Sequence, residues 1–297
     1  MTTALISPRD LFQAGTILLM TPLALFVPRD RWPQSCRRLA RLLEGIRIGQ
    51  VADIAHALSG FESQRGEHGG YRQVLESYFE NRLQVVDQNL LDRWQPDIGL
   101  TGHEHIDDAL TAGNGAILWV TPFAFSDLIV KIGLAQGGYA IDHLSRLEHG
   151  FSVTKIGMAT LNRLRTRIED RYLHDRVLID TTTEKKATLA LRRIVKNNGI
   201  VSITVGSQTK TPHRIGVGHG ELEIAAGAVR LAQMTKAPLI PVFGVKRGDL
   251  DFHVYMEPPL DIVAEETQPA LQQYAALLYQ YIQKYPYQWR GTVNFTT

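Results

Sequence analysis

Asp127 has the setting in this 297-residue chain most readily turned to chemistry. It sits near the end of residues 113–128 (GNGAILWVTPFAFSDL), where a glycine-flanked turn leads into a hydrophobic strand, a short loop and an acid opening the next helix. A carboxylate just past the carboxyl end of a strand can address a substrate, and it also complements a helix dipole; both roles can hold at once. Gly216, Gly218 and Gly220 precede a helical stretch and would let a helix N-terminus approach a phosphate or the sheet. They do not complete a dinucleotide fingerprint. Pro212, His213 and Arg214 stand where a strand is needed, and the acid expected about 20 residues on falls near Pro241. His103 and His105 are spaced i, i+2 at a helix start and share no face, while His213 and His219 lie in a loop with no cysteine nearby, so no metal site is expected. No G-x-S-x-G elbow anchors a serine triad. Arg163, Arg165, Arg167, Arg171 and Arg176 form the densest basic stretch. Glu169, Asp170 and Asp175 dilute it, leaving phosphate recognition and a solvated helix face both open.

Composition narrows the classes. Lysine and arginine against aspartate and glutamate give 32 − 30 = +2, a balance that argues against a nucleic-acid partner. The single cysteine, Cys36, excludes a disulfide framework and a cysteine-based zinc site. No uninterrupted apolar run reaches the roughly 18 residues of a clean membrane span.

The elements that must position Asp127 follow from periodicity. Residues 11–27 (LFQAGTILLMTPLALFV) are nearly all apolar but are interrupted by Gln13, Thr16, Thr21 and Pro22. They read as a helix lying in a bilayer surface, with Arg29, Arg31, Arg37, Arg38, Arg41 and Arg47 facing anionic headgroups; a buried core hairpin is the plainer alternative. Leu39, Leu42, Leu43 and Ile46, then Val74, Leu75, Tyr78, Phe79 and Leu83, mark amphipathic helices, with a polar loop between them over 60–70. Thr101 and Glu104 have capping-box spacing. Strand-length apolar runs then recur at 116–121, 139–143, 177–180, 200–205, 239–243 and 252–256, most of them separated by helical stretches. The alternation predicts an α/β fold: a mostly parallel central sheet covered by helices, with an all-helical N-terminal extension. One domain is expected, with a membrane-associated helix over 1–31, a helical extension over 32–100 and the α/β core over 101–297.

The ordered pieces of the chain resemble the lipid A biosynthesis lauroyl/myristoyl acyltransferases, a branch of the lysophospholipid acyltransferase superfamily. They are the apolar N-terminal helix with its basic follow-on, Leu100–Leu110 (LTGHEHIDDAL), Gly113–Thr121, Ile200–Gln208, Ala228–Ala232 with Lys236–Phe243, and Tyr285–Trp289 (YPYQW). The resemblance implies a glycerolipid acyltransferase-like fold, a peripheral or monotopic place on the cytoplasmic face of a bacterial inner membrane, and no bound cofactor. It also implies an acyl carrier protein or coenzyme A thioester as co-substrate and a lipid or related metabolite as acceptor.

The family's catalytic motif places a histidine four residues ahead of the acid, written H-x4-D/E. The acid matches as Asp127, but the histidine position holds Pro122, which can take no proton. A second acidic position, commonly aspartate-glutamine, reads Ser207-Gln208. Three readings follow. His143 or His149, from the stretch after the second strand, pairs with Asp127, while Ser145, Arg146, Gln208, Gly218 and Gly220 bind substrate. Alternatively, Asp127 alone serves as base for an easier acceptor such as an amine. Or catalysis is gone, and the fold binds an acyl lipid or a partner enzyme.

Overall fold

A computed structural model describes residues 4–65, 70–91, 93–146, 152, 154–180, 182–206, 212–218, 220–291 and 293–295. The N-terminal region is helical: α1 (Pro8–Phe26), α2 (Trp32–Leu43), α3 (Gly49–Arg65) and α4 (Gly70–Val86). Helix α3 runs through residues 60–65, where a loop is expected; residues 66–69 lie outside the described residues. Helix α1 starts on a capping box in which Ser7 and Asp10 each accept from the other's backbone amide. Its inner face, with Gln13, Thr16, Met20 and Ala24, is buried, and it packs along α4. Its outer face exposes Leu11, Phe12, Leu18, Leu19, Leu25 and Phe26.

The α/β part then follows in order: β1 (Ile98–Thr101), α5 (Glu104–Thr111), β2 (Ala116–Thr121), α6 (Ser126–Gln136), β3 (Ile141–Arg146), α7 (Lys155–Gly157), α8 (Arg163–Glu169), β4 (Asp175–Ile179), α9 (Glu184–Lys196), β5 (Ile200–Thr204), β6 (His213–Val217), β7 (Gly220–Ile224), α10 (Gly227–Thr235), β8 (Leu239–Lys246), β9 (Phe252–Met256), α11 (Gln268–Lys284) and β10 (Val293–Phe295). Seven strands form the main sheet in the order β1-β9-β8-β2-β5-β3-β4. β8, β2, β5, β3 and β4 are parallel neighbours. β9 runs antiparallel to β8, and β1 runs parallel to β9. A separate antiparallel sheet joins β10, β7 and β6.

β2 is the middle strand and is buried along its whole length, as a strand covered on both faces must be. Trp119 and Thr121 face α11, where Trp119 packs on Tyr274 with ring centres 4.5 Å apart and the Thr121 and Tyr274 hydroxyls share a 3.0 Å hydrogen bond. Helix α6 covers the opposite face. It lies so close to β8 that a Cβ on Gly244 would come within 2.8 Å of Val130 and 3.1 Å of the Ser126 Cα.

Three local expectations are corrected. Thr101 does not cap α5, because its hydroxyl is taken by His253 Nε2 at 2.8 Å and the N-cap position is His103. β3 extends to Arg146 rather than ending at His143, so Ser145 and Arg146 are strand residues and do not lie in a following loop. The glycines at 216–220 do not open a helix. Gly216 lies within β6, Gly218 follows its end and Gly220 opens β7, while α10 begins at Gly227. Gly218 adopts φ +58° and a Cβ there would lie 2.2 Å from the Tyr279 ring, so both backbone conformation and space require glycine.

Candidate functional site

Asp127 lies in the first turn of α6, six residues past the end of the central strand, and is half-buried. The turn is fixed by Ser126, whose buried hydroxyl donates to the Gly244 carbonyl at 3.0 Å and accepts from the Phe123 amide at 3.2 Å. The Asp127 carbonyl in turn accepts from Lys131 Nζ at 2.6 Å. Pro122 adjoins the end of β2, and its carbonyl accepts the Arg290 amide at 3.0 Å. A bridge between Phe123 and Trp289, with ring centres 5.6 Å apart, extends this clamp between the strand end and the C-terminal segment.

His143 lies on the α6 face of the sheet. Trp119 and Thr121 mark the α11 face, so Leu118 and Val120 point the other way. Ser202 is in register with Leu118, and His143 with Ser202. His143 is buried, and its Nδ1 shares a 2.8 Å hydrogen bond with Ser202 Oγ. Ser145 falls two residues on, on the same face, and accepts a hydrogen bond from Arg176.

A buried polar band continues from there to α6. Arg176 binds Glu169 at 3.1 Å and Asp170 at 2.7 Å, and Glu169 lies 3.5 Å from Lys131 Nζ. Lys131 and Glu169 are both withdrawn from water, so each charge depends on the other and on Arg176 for compensation. Two bonded groups therefore lie on this face: His143 with Ser202, and a chain from Ser145 through Arg176 and Glu169 to Lys131, whose ammonium ends on the Asp127 carbonyl. Arg176, within the basic stretch 163–176, serves this band; Arg163, Arg167 and Arg171 are exposed.

Of the residues singled out in the sequence, His143 and Ser145 share one face of the sheet, and Asp127 meets the Ser145 group through its backbone carbonyl. Arg146 is the exposed last residue of β3. Gly218 and Gly220 belong to the hairpin of the small sheet. His149 and Gln208 lie outside the described residues. Sequence reasoning gives Lys131 and Ser202 no site role, and treats Glu169 only as a charge that dilutes the basic stretch. A lysine inside an otherwise apolar helix, Leu128–Leu134, was the available sign for the first of them. A cleft of about 610 Å³ lined by His105, Asp108, Lys236 and Pro259 opens elsewhere, beside Pro238 at the amino end of β8, away from Asp127.

The basic residues after α1 divide into two sets. Arg29 pairs with buried Asp87 at 3.1 Å and Arg37 with Asp249 at 2.9 Å, whereas Arg31, Arg38, Arg41 and Arg47 are exposed. Among the described residues no helix is long and apolar enough to cross a membrane.

No protein-family profile matches the chain, and none of the curated proteins matches it.

Proposed function

We propose that the protein transfers a fatty acyl group from a thioester, carried by acyl carrier protein or coenzyme A, to a hydroxyl or amine of a lipid or related metabolite at a membrane surface. The observation that carries this reading is Asp127 in the first turn of α6, just beyond the carboxyl end of the central strand, with the imidazole of His143 on the same face of the sheet. In a parallel sheet that end is where loops converge on a ligand. The chemistry is general-base acyl transfer. The base, Asp127 with His143 or Asp127 alone, removes the acceptor's proton; the freed oxygen or nitrogen attacks the thioester carbonyl; the carbon–sulfur bond breaks and the thiol leaves with a proton. Base assistance is worth about 10²- to 10⁴-fold, so loss of the motif histidine at Pro122 still leaves positioning and electrostatic stabilisation to act.

The membrane part of the reading rests on α1. Its outward stripe of Leu11, Phe12, Leu18, Leu19, Leu25 and Phe26 is exposed, and so are Arg31, Arg38 and Arg41 in the segment that follows; apolar stripe and basic follow-on are the two signals that an interfacial helix needs on anionic lipid.

The rival reading is a catalytically silent relative that binds an acyl lipid or partner enzyme. Pro122 favours it, as does the commitment of His143 Nδ1 to Ser202. Mass spectrometry of lipids incubated with the purified protein, with and without added acyl thioester, separates the two. Acyl transfer means a new acylated lipid that appears only with thioester present and is lost in Asp127→Asn. Equal turnover by wild type and Asp127→Asn removes Asp127 from the mechanism, and no product from either leaves the binding role.

A further inference from the structure

Two arginines flank the strand end at Pro122. Arg82 is on α4, and at 5% exposure it is almost entirely withdrawn from water. The neighbouring Asn81 amide donates to the Ala124 carbonyl at 3.0 Å, which seats this turn of α4 against the Pro122–Ala124 segment. Arg290 reaches the same segment from the C-terminal side, through its own amide on the Pro122 carbonyl and through Gln288, whose carbonyl accepts the Ala124 amide at 2.6 Å. The Arg290 Nη1 is spent on the carbonyls of Tyr287 and Trp289, at 3.0 and 2.9 Å. Its Nη2 is shielded from solvent and has no hydrogen-bond partner among the described residues. The Tyr78 hydroxyl is in the same condition, and the Arg82 guanidinium lies over the Tyr78 ring at 4.8 Å.

This is a costly arrangement. A buried guanidinium nitrogen with nothing to bind forfeits its solvation, and two like charges near one another in a low dielectric repel. Both effects act on Arg290: burial, then the charge of Arg82, bring its ionisation down to about 9. No described carboxylate forms an ion pair with Arg290. An anion between the two arginines reverses the sign of both effects. Two cationic forks match a doubly charged, many-oxygen group better than a carboxylate, which carries one charge and two oxygens.

We propose that Arg82 and Arg290 hold a phosphate group of the substrate at the carboxyl end of β2, with Tyr78 as a further donor. The inference rests on the acyl-transfer reading for its choice of substrate. Two sources share the chemistry: the phosphates of coenzyme A and the phosphomonoester of an acceptor lipid.

Calorimetric titration of the full chain with inorganic phosphate, at constant ionic strength and with acetate as control, tests the site without any turnover. Saturable phosphate binding with no acetate response is expected, weakened at least tenfold in Arg290→Gln and in Arg82→Gln. Arg290→Lys, which keeps one charge but loses the fork, is expected to fall between. Coenzyme A and dioctanoyl phosphatidic acid are then offered as competitors, and displacement by one of them identifies the source. The proposal is overturned by an absence of saturable phosphate binding, by binding unchanged in folded Arg82 and Arg290 variants, or by bound phosphate that neither competitor displaces. Because these readouts need no acyl transfer, a protein that binds phosphate and both competitors' chemistry but makes no acylated product refutes the activity while leaving the phosphate site standing.

Discussion

The Thr121 and Tyr274 hydroxyls are both buried and satisfy one another at 3.0 Å, fastening the last residue of the central strand to α11. Tyr274→Phe removes one partner and leaves the Thr121 hydroxyl buried alone, a loss of about 1–3 kcal/mol. Replacing both, as Thr121→Val with Tyr274→Phe, leaves no orphaned group and recovers most of that loss. Urea unfolding of the two single variants and the double variant measures the difference. Additive losses would mean that the hydrogen bond contributes nothing.

Gly244 sets how closely α6 approaches the sheet. Gly244→Ala drives a methyl against Val130, Ile129 and the Ser126 backbone, at a cost of about 1–3 kcal/mol. Since Ser126 precedes Asp127, the same displacement reaches the acid. Turnover is expected to fall by about tenfold or more, because misplacements of under an ångström are felt in positioned catalysis. Thermal unfolding and an acyl-transfer assay on the same preparation check both effects; a destabilised variant with undiminished turnover separates Asp127 from the chemistry.

Asp10 links α1 to the segment after β3. Its Oδ2 accepts from the Ser7 amide at 2.8 Å and from the Thr154 hydroxyl at 2.7 Å. Burial raises its pKa, but hydrogen bonding to Ser152, Thr154 and Ser7 outweighs that and holds it at about 2 against an ordinary 3.8. A depressed carboxylate contributes its stability in full above the unfolded value and loses it as pH falls toward the folded one. Docking of α1 is therefore expected to weaken between about pH 4 and about pH 2. Limited proteolysis with an acid protease across that range, read as cleavage within residues 4–30, follows it. Asp10→Asn should flatten the pH dependence; an unchanged profile would assign the loosening to another carboxylate.

Membrane contact is tested on the outer face of α1, because removing the whole helix would also strip Met20 and Ala24 from the core. Leu18→Glu with Phe26→Glu changes two of its most exposed apolar side chains. Flotation with anionic liposomes should show the wild type rising with the lipid and the double variant staying behind, while unfolding midpoints agree. Equal flotation would move the contact to another surface.

Much of the fold was legible because hydrophobic period reports burial directly. The runs at 116–121 and 252–256 are strands with those bounds, since both are buried on the two faces of a sheet. β1 carries no hydrophobic pattern, because Ile98–Thr101 is four residues long and only partly covered at the sheet edge. The β6–β7 hairpin reads in the sequence as the approach to a helix. Its alternating residues, such as Ile215, Val217, Leu222 and Ile224, are interleaved with glycine and glutamate, and Ile224 also fits the helical spacing of α10. At the candidate site Asp127 could be read from the strand–loop–helix order alone. The Lys131–Glu169–Arg176 band could not, because its members come from three elements brought together by strand register and helix packing.

Helix α1 is pinned along its length. Ala4 and Leu5 accept from the amides of Lys155 and Ile156, Asp10 is held by Thr154, and near its far end the Ala24 carbonyl accepts from Arg93. A keel fastened at bow and stern cannot swivel under the hull. A lipid leaflet wetting its outer side, as proposed above, would thereby set the heading of the whole molecule, and with it a fixed distance between the leaflet and the rim of the sheet that bears Asp127.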